Sequence, residues 1–116
     1  RKIDKAILYI ESTFNNTKLT LTDESGATVM WSSAGALGFT GNRKATPFAA
    51  AKVGEVIGEK AATVGVKEAD VFIKGVGSGR ESALRSFAGK GIAILSILDV
   101  TPVPHNGPRP PKPRRV

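Results

Sequence analysis

The chain contains no cysteine and only one histidine among its 116 residues. It therefore has no disulfide, no thiolate metal site and no cysteine nucleophile, and this absence fits a reducing compartment. No apolar run approaches the roughly 18 to 20 residues of a transmembrane helix. The first residues also lack the small-residue cleavage site of a secretory signal. We expect a soluble, unexported protein without membrane contact.

Residues 101–116 contain no acidic side chain, but they hold six of the seven prolines. Proline fixes φ and removes a backbone donor, so this segment should be extended and unable to form a core of its own. Its positive charges suit a polyanion, because each phosphate that they neutralise releases bound counterions. The alternative is a disordered, solubilising tail. The cations of the segment are Arg109, Lys112, Arg114 and Arg115.

Residues 1–101 have the length of one domain, and residues 102–116 form its tail. Since the four tail cations account for +4 of the net charge of +7, the domain carries only +3. Alternation of apolar and polar side chains predicts three strands that form an antiparallel meander. These strands are at residues 6–12, 17–22 and 28–32.

The second half of the domain predicts helices as well as strands. Apolar residues at helical spacing indicate a helix that is capped by Thr46, begins at Pro47 and ends before Gly65. A β-α-β unit follows, at residues 71–74, 78–88 and 92–98. Its helix should begin with a capping box formed by Ser78 and Glu81. Its last strand is almost continuously apolar, which predicts burial on both faces. The sequence thus predicts an α/β fold with a mixed sheet of about five strands and two helices.

The segment GVGSGR at residues 75–80 follows a predicted strand and opens a predicted helix. Backbone amides in that position can hold a phosphate, and Gly77, Ser78 and Arg80 are the candidate contacts. The spacing matches neither the dinucleotide fingerprint nor the P-loop, so we expect no nucleotide cofactor, and no other cofactor. The alternative is a tight turn that only joins the strand to the helix.

Two other loops carry groups suited to RNA. In one, Arg43 and Lys44 can meet phosphates, Asn42 can hydrogen-bond, and Phe39 can stack on a base. The alternative for Phe39 is closure of the core edge. The other is the turn after the first strand, which offers polar groups for sugar and phosphate contacts or for its own hydrogen bonds. Its candidate residues are Asn15, Asn16 and Thr17.

Groups for catalysis are few. Asp99 is the only acid placed where a two-metal nuclease would need one, and such a site requires several converging carboxylates. His105 lies in the tail with no evident acid to orient it, which favours an RNA or protein contact over a general base. Asn106 precedes Gly107, a pair prone to isoaspartate formation, so Asn106 is a candidate modification site. We expect no enzyme.

Four segments together resemble ribosomal protein S11 of the small subunit, in its bacterial form. They are FNNTKLTLTD at residues 14–23, GFTGNRKATPFAA at residues 38–50, KGVGSGRESALR at residues 74–85 and DVTPVPHNGPRPPKPRRV at residues 99–116. The resemblance covers nearly the whole chain, and the four motifs occur in the same order as in the family.

The resemblance implies a ribonuclease-H-like α/β domain without nuclease carboxylates, bound to small-subunit rRNA in the platform. It places the protein in the ribosome of the cytoplasm or of an organelle, beside the mRNA exit and the Shine-Dalgarno helix, with proteins S7, S18 and S21 as neighbours. The residues and the resemblance together predict one set of RNA contacts. This set is Asn15, Asn16, Thr17, Lys18, Phe39, Asn42, Arg43, Lys44, Gly77, Ser78, Arg80, Arg85, His105, Asn106, Arg109, Lys112, Arg114 and Arg115.

Two other functions remain open from the sequence. A ribonuclease-H-type nuclease would use Asp99 and need magnesium. A free protein-interaction module would dock its proline-rich tail into an aromatic groove. The spread of arginine and lysine over loops as well as tail favours RNA binding over the second alternative.

Overall fold

The structure is a computed structural model that describes residues 4–13, 16–39, 46–75 and 79–100. In this part of the chain it contains five strands and two helices. They are β1 (Lys5–Ser12), β2 (Thr17–Asp23), β3 (Thr28–Ser33), α1 (Pro47–Thr63), β4 (Glu68–Lys74), α2 (Arg80–Ala88) and β5 (Ala93–Asp99). Every predicted element is present, although β4 begins at Glu68 and not at Val71.

The strands form one mixed sheet in the order β3-β2-β1-β4-β5. β2 is antiparallel to both β1 and β3, which confirms the predicted meander. β4 is parallel to β1 and to β5, which confirms the predicted β-α-β unit and the α/β fold. Because β1, β4 and β5 run in the same direction, their carboxyl ends meet at one end of the sheet. β2 begins at that same end.

Both helices cover the same face of the sheet. α1 contacts β2 and β3, α2 contacts β1, and the two helices pack against each other. Leu8 and Ile10 of β1 point towards the helices and are fully buried, whereas Tyr9 between them is 38% exposed. On the opposite face Tyr9 stacks on Phe72 of β4, with ring centroids 5.3 Å apart. The core therefore lies between the helices and one face of the sheet.

The start and end of α1 agree with the sequence. The Thr46 hydroxyl accepts a hydrogen bond from the Ala49 N–H at 3.1 Å, and Pro47 is the first helical residue. Gly65, just past the last helical residue, has a φ of +90° that a glycine adopts without strain. The predicted cap, first residue and end of α1 are thus confirmed. Within the described part of the chain, no helix is long and apolar enough to cross a membrane.

The start of α2 differs from the prediction. The helix begins at Arg80, and its N-cap is Gly79, which has no side chain to make a capping hydrogen bond. The predicted capping box was therefore wrong, because the residue three positions before Glu81 is not the N-cap. Ser78 itself lies outside the described residues. Glu81 still lies in the first turn, where its negative charge is favourable for the helix dipole.

β5 is not buried on both faces, and that prediction was wrong. It is the edge strand of the sheet, beside β4. Six of its seven residues are exposed, and only Ile94 is half-buried. The apolar run showed that both faces could be buried, but it did not show that β5 would be an edge strand with exposed side chains among the described residues.

A close approach between backbones fixes the packing of α1 on α2. A Cβ atom added at Gly54 of α1 would collide with the backbone carbonyl of Ala83 in α2. Both residues are fully or almost fully buried. The glycine therefore permits the two helices to lie closer than any side chain would allow.

We expect Gly54→Ala to lower the free energy of unfolding by about 1 to 3 kcal/mol, because the helices must separate to admit the methyl group. Gly58→Ala is the comparison and should cost less, since an added Cβ there lies 2.7 Å from Cγ of the flexible Lys90 side chain and 3.1 Å from the Phe87 carbonyl, where small shifts suffice. Urea unfolding of both variants measures the difference. Equal stability of the Gly54→Ala variant and the parent would refute the packing constraint.

Candidate nucleic-acid interface

Asn16 organises the turn between β1 and β2. Its side-chain oxygen accepts hydrogen bonds from the backbone N–H groups of Thr17 at 2.9 Å and Gly35 at 3.4 Å. Its backbone carbonyl accepts from the Thr13 N–H at 2.8 Å. The Ala34 N–H also donates to the Thr17 carbonyl at 3.0 Å. The turn is therefore joined directly to the loop that follows β3.

The loop after β3 leads to an aromatic pair at the start of α1. Phe39 is half-buried and packs against the core. Its ring meets that of Phe48 edge to face, with centroids 6.0 Å apart. Phe48 is 64% exposed, and the Lys52 ammonium lies 5.6 Å from its ring centroid. The position of Phe39 favours core closure over base stacking, and Phe48 is the more accessible ring.

Arg80 joins three segments at the beginning of α2. Its guanidinium donates to the Gly75 carbonyl and to a carboxylate oxygen of Asp99, both at 2.9 Å. Gly75 has a φ of +110°, and a Cβ there would collide with the Ser12 carbonyl. The ends of β1, β4 and β5 are thus held together around Arg80. The arginine side chain is one-third exposed, so it can also reach a ligand.

The described residues that flank the predicted loops lie close together at one end of the sheet. A Cβ placed on Gly79 would lie 2.6 Å from Cβ of Ala50, 3.0 Å from Oγ1 of Thr17 and 3.7 Å from the carbonyl of Thr46. The start of α2 therefore rests on the start of α1 and on the start of β2.

Thr17 requires a correction, because its side chain is fully buried and points towards the helices. Its hydroxyl and that of the buried Ser12 have no hydrogen-bond partner among the described residues. The Thr17 side chain cannot contact RNA from this position. Alternation along β2 already placed Thr17 on the same face as Leu19 and Leu21, so the sequence held the signal for its burial.

Lys18 is exposed beside an aromatic ring that the sequence analysis did not single out. Its ammonium lies 5.6 Å from the ring centroid of Trp31, which is 56% exposed. Lys18 and Asn16 also line a depression of about 320 Å³. Lys74, at the end of β4, lines the same depression and was likewise missed. Its signal was its place immediately before the glycine-rich segment.

The remaining predicted contacts do not all join this surface. Arg85 is exposed, but it lies five residues beyond Arg80, about 7.5 Å further along the axis of α2. The other predicted contacts lie outside the described residues. They are Asn15, Asn42, Arg43, Lys44, Gly77, Ser78, His105, Asn106, Arg109, Lys112, Arg114 and Arg115.

The surface does not resemble a hydrolytic centre. Among the described residues, no group of three or more histidine, cysteine, aspartate or glutamate side chains could hold a metal ion. Asp99, the acid that the nuclease alternative requires, is ion-paired with Arg80 at 2.9 Å. An acid held in this way balances the charge of an arginine and orients it.

Comparison with known proteins assigns the family. The family model for ribosomal protein S11 matches residues 6–115. The chain belongs to the ribosomal protein S11 family. It is 54% identical to the small ribosomal subunit protein uS11 of Bdellovibrio bacteriovorus over 116 residues, which are all of this chain and 89% of that protein. The resemblance predicted from the four motifs is thereby confirmed.

Family membership decides between a structural ribosomal protein and an enzyme. As a ribosomal protein S11, the chain has a structural role in the small subunit of the ribosome in the cytoplasm, and it is not an enzyme. The nuclease alternative was therefore wrong. The mixed sheet with two helices is compatible with both classes, so the fold alone could not have separated them.

We expect Asn16→Ala to lower the free energy of unfolding by about 0.5 to 1.5 kcal/mol, because the Thr17 N–H and the more exposed Gly35 N–H lose their acceptor. Asn16→Asp is the control, since a carboxylate oxygen can accept the same two hydrogen bonds. Urea unfolding of both variants tests the role of the oxygen. Equal losses in the two variants would contradict it.

Proposed function

We propose that the chain binds small-subunit rRNA in the platform of the small subunit, near the mRNA exit and the Shine-Dalgarno helix. The observation that carries this proposal is a group of polar side chains at the end of the sheet where β1, β4 and β5 finish. Asn16, Lys18 and Arg80 lie there, each with an exposed or half-exposed side chain. Hydrogen-bonding groups and cations on one surface suit the sugar-phosphate backbone of a folded RNA.

The rigidity of this surface supports the proposal. Arg80 is held by the Gly75 carbonyl and the Asp99 carboxylate, and Asn16 is held by two backbone donors. Groups that are fixed before binding lose less conformational entropy when they meet a ligand. Lys18, over the Trp31 ring, adds a cation and an exposed aromatic face beside them. We infer that this end of the sheet docks as a preformed unit.

The tail has a different part in the proposed mechanism. We assign residues 1–101 to the folded domain and residues 102–116 to an extended arm that follows RNA helices. The arm gains order only on binding, and contacts with phosphates offset the entropy that this ordering costs. Its prolines reduce that cost, because their φ angles are already fixed. The domain would thus position the protein, and the arm would strengthen its attachment.

We propose S7, S18 and S21 as the neighbouring ribosomal proteins, with mRNA close by. This assignment follows the family resemblance and the place in the platform. In this proposal the protein supports subunit assembly and translation by holding rRNA segments in their folded arrangement. A free protein-interaction module has no specific observation in its favour, because the tail that would dock into a partner's groove lies outside the described residues.

Sedimentation tests the proposed function. The tagged full-length protein is followed through a sucrose gradient from gently lysed cells, with and without ribonuclease. We expect it to migrate with the small subunit and to be released when the RNA is digested. Migration as a free 12.1 kDa protein, or in a complex that resists ribonuclease, would overturn the proposal.

Salt dependence of rRNA binding tests the contacts themselves. Each phosphate contact contributes about 0.7 to 0.9 to the slope of log affinity against log salt. We expect Lys18→Gln to reduce the magnitude of the slope by about one contact, and truncation after Pro102 to reduce it by roughly 3 to 4 units.

Lys67→Gln is the control for Lys18→Gln. Lys67 is also an exposed lysine, but it lies just before β4, at the opposite end of the sheet. Its substitution should leave the slope unchanged. Equal effects of the two lysine variants would show that overall charge, and not this surface, determines the affinity. An unchanged slope after truncation would remove the arm from the mechanism.

A further inference from the structure

The face of the sheet that the helices leave uncovered carries a row of aromatic side chains. In the strand register Thr20 of β2 lies between Trp31 of β3 and Tyr9 of β1. Tyr9 in turn pairs with Phe72 of β4, on which its ring stacks. Directly paired residues point to the same face of a sheet, so the three rings lie in one row across four strands. Trp31 and Tyr9 are exposed, and Phe72 is half-buried.

A depression of about 350 Å³ lies on this face. Tyr9 and Phe72 line it with their rings, and Thr20 and Thr28 line it with short side chains that carry hydroxyl groups. Neither of these two hydroxyls makes a hydrogen bond with the described residues. The depression therefore combines aromatic surface with polar groups that have capacity for a ligand.

Two charged residues join this depression to the surface proposed to meet RNA. Glu11 and Lys74 line it, and both also line the 320 Å³ depression that contains Asn16 and Lys18. Among the described residues, none of Glu11, Lys18 and Lys74 forms an ion pair. Their charges are thus available to a ligand. An RNA strand that contacts Asn16 and Lys18 can reach the aromatic row without leaving the surface.

The lining groups match the parts of a single nucleotide. The ring of Tyr9 offers a face on which a base can stack, and Lys74 offers a cation for its phosphate. The carboxylate of Glu11 can only accept hydrogen bonds, so it suits an amino group on the edge of a base. An apolar protein segment would leave the carboxylate, the ammonium group and the two threonine hydroxyls without partners. The mixed lining therefore favours a nucleotide over a protein.

We propose that the uncovered face of the sheet binds one unstacked nucleotide of the small-subunit rRNA. Its base lies against Tyr9 and donates a hydrogen bond from an exocyclic amino group to Glu11, and its phosphate lies beside Lys74. The base is adenine, cytosine or guanine, because uracil has no amino group. Aromatic side chains on an open sheet are a known means of taking up single-stranded RNA. The inference rests on the proposed function, because the nucleotide belongs to the same RNA.

Photocrosslinking identifies what occupies the depression. Small subunits are assembled with full-length protein that carries a benzophenone side chain at Thr28 in one version and at Lys18 in another. The irradiated subunits are digested with protease or with ribonuclease. We expect both positions to give adducts with RNA. A protein adduct at Thr28, or no adduct there, would overturn the inference and leave the proposed function intact if Lys18 still gives an RNA adduct. Failure of the protein to enter small subunits would instead overturn the proposed function.

Removal of the acid gives a test whose sign distinguishes base recognition from charge attraction. Glu11→Ala removes a negative charge, so electrostatics alone would strengthen binding to a polyanion. We expect the variant instead to bind small-subunit rRNA about 5- to 100-fold more weakly, because the base loses its acceptor. Glu24→Ala is the matched control, since Glu24 is an exposed acid that lines neither depression. It should not weaken binding. Unchanged or stronger binding by the Glu11→Ala variant would contradict the inference.

Substitution of the ring tests the stacking contact. We expect Tyr9→Leu to weaken rRNA binding by about 5- to 100-fold, because the base loses its aromatic partner. Tyr9→Phe keeps the ring and should bind within about twofold of the parent. Equal affinities of the two variants would remove the stacking contact from the inference. Urea unfolding shows whether the Tyr9→Leu variant folds, and if it does not, the result for Glu11→Ala decides.

Discussion

The parallel pairing of β1 with β4 is the constraint on which the polar surface depends. It brings Ser12 and Gly75 so close that a side chain at position 75 would strike the Ser12 carbonyl. α2 begins beside the start of β2, where a Cβ added to Gly79 would lie 3.0 Å from Oγ1 of Thr17. Arg80 then reaches both Gly75 and Asp99. Polar groups that are far apart in the sequence become one surface because two strand ends share one edge.

Cations and acids alternate at the end of the sheet where β1, β4 and β5 finish. Glu11 lies between Lys18 and Lys74 in the strand register, and Asp99 is ion-paired with Arg80. Asp99 therefore holds and orients Arg80, and the chemistry of this end depends on which cation is exposed and not on a large net charge.

Sequence patterns within single elements predicted most of the helices and strands, but they did not predict which other segments each element contacts. The cap at Thr46 depends on neighbours in sequence, so it could be predicted and was confirmed. The N-cap of α2 could not be predicted, because three closely spaced glycines before the helix leave the first helical residue undetermined. The polar turn around Asn16 has a local signal in the sequence, but the hydrogen bond from the Gly35 N–H to Asn16 joins residues 19 positions apart. Lys74 was missed because only the pairing of β1 with β4 brings it beside Asn16 and Lys18.

The wrong prediction that β5 is buried on both faces has a physical cause. A continuous apolar run predicts that a strand can be buried on both faces, but the run does not say which elements would cover it. β1 and β4 have a strand on both sides within the sheet, so pattern and burial agree there. In the described sheet β5 has β4 on one side only, and its apolar residues remain at the surface. The place of a strand in the sheet order is set by pairing between distant segments, and periodicity along one segment carries no information about that pairing.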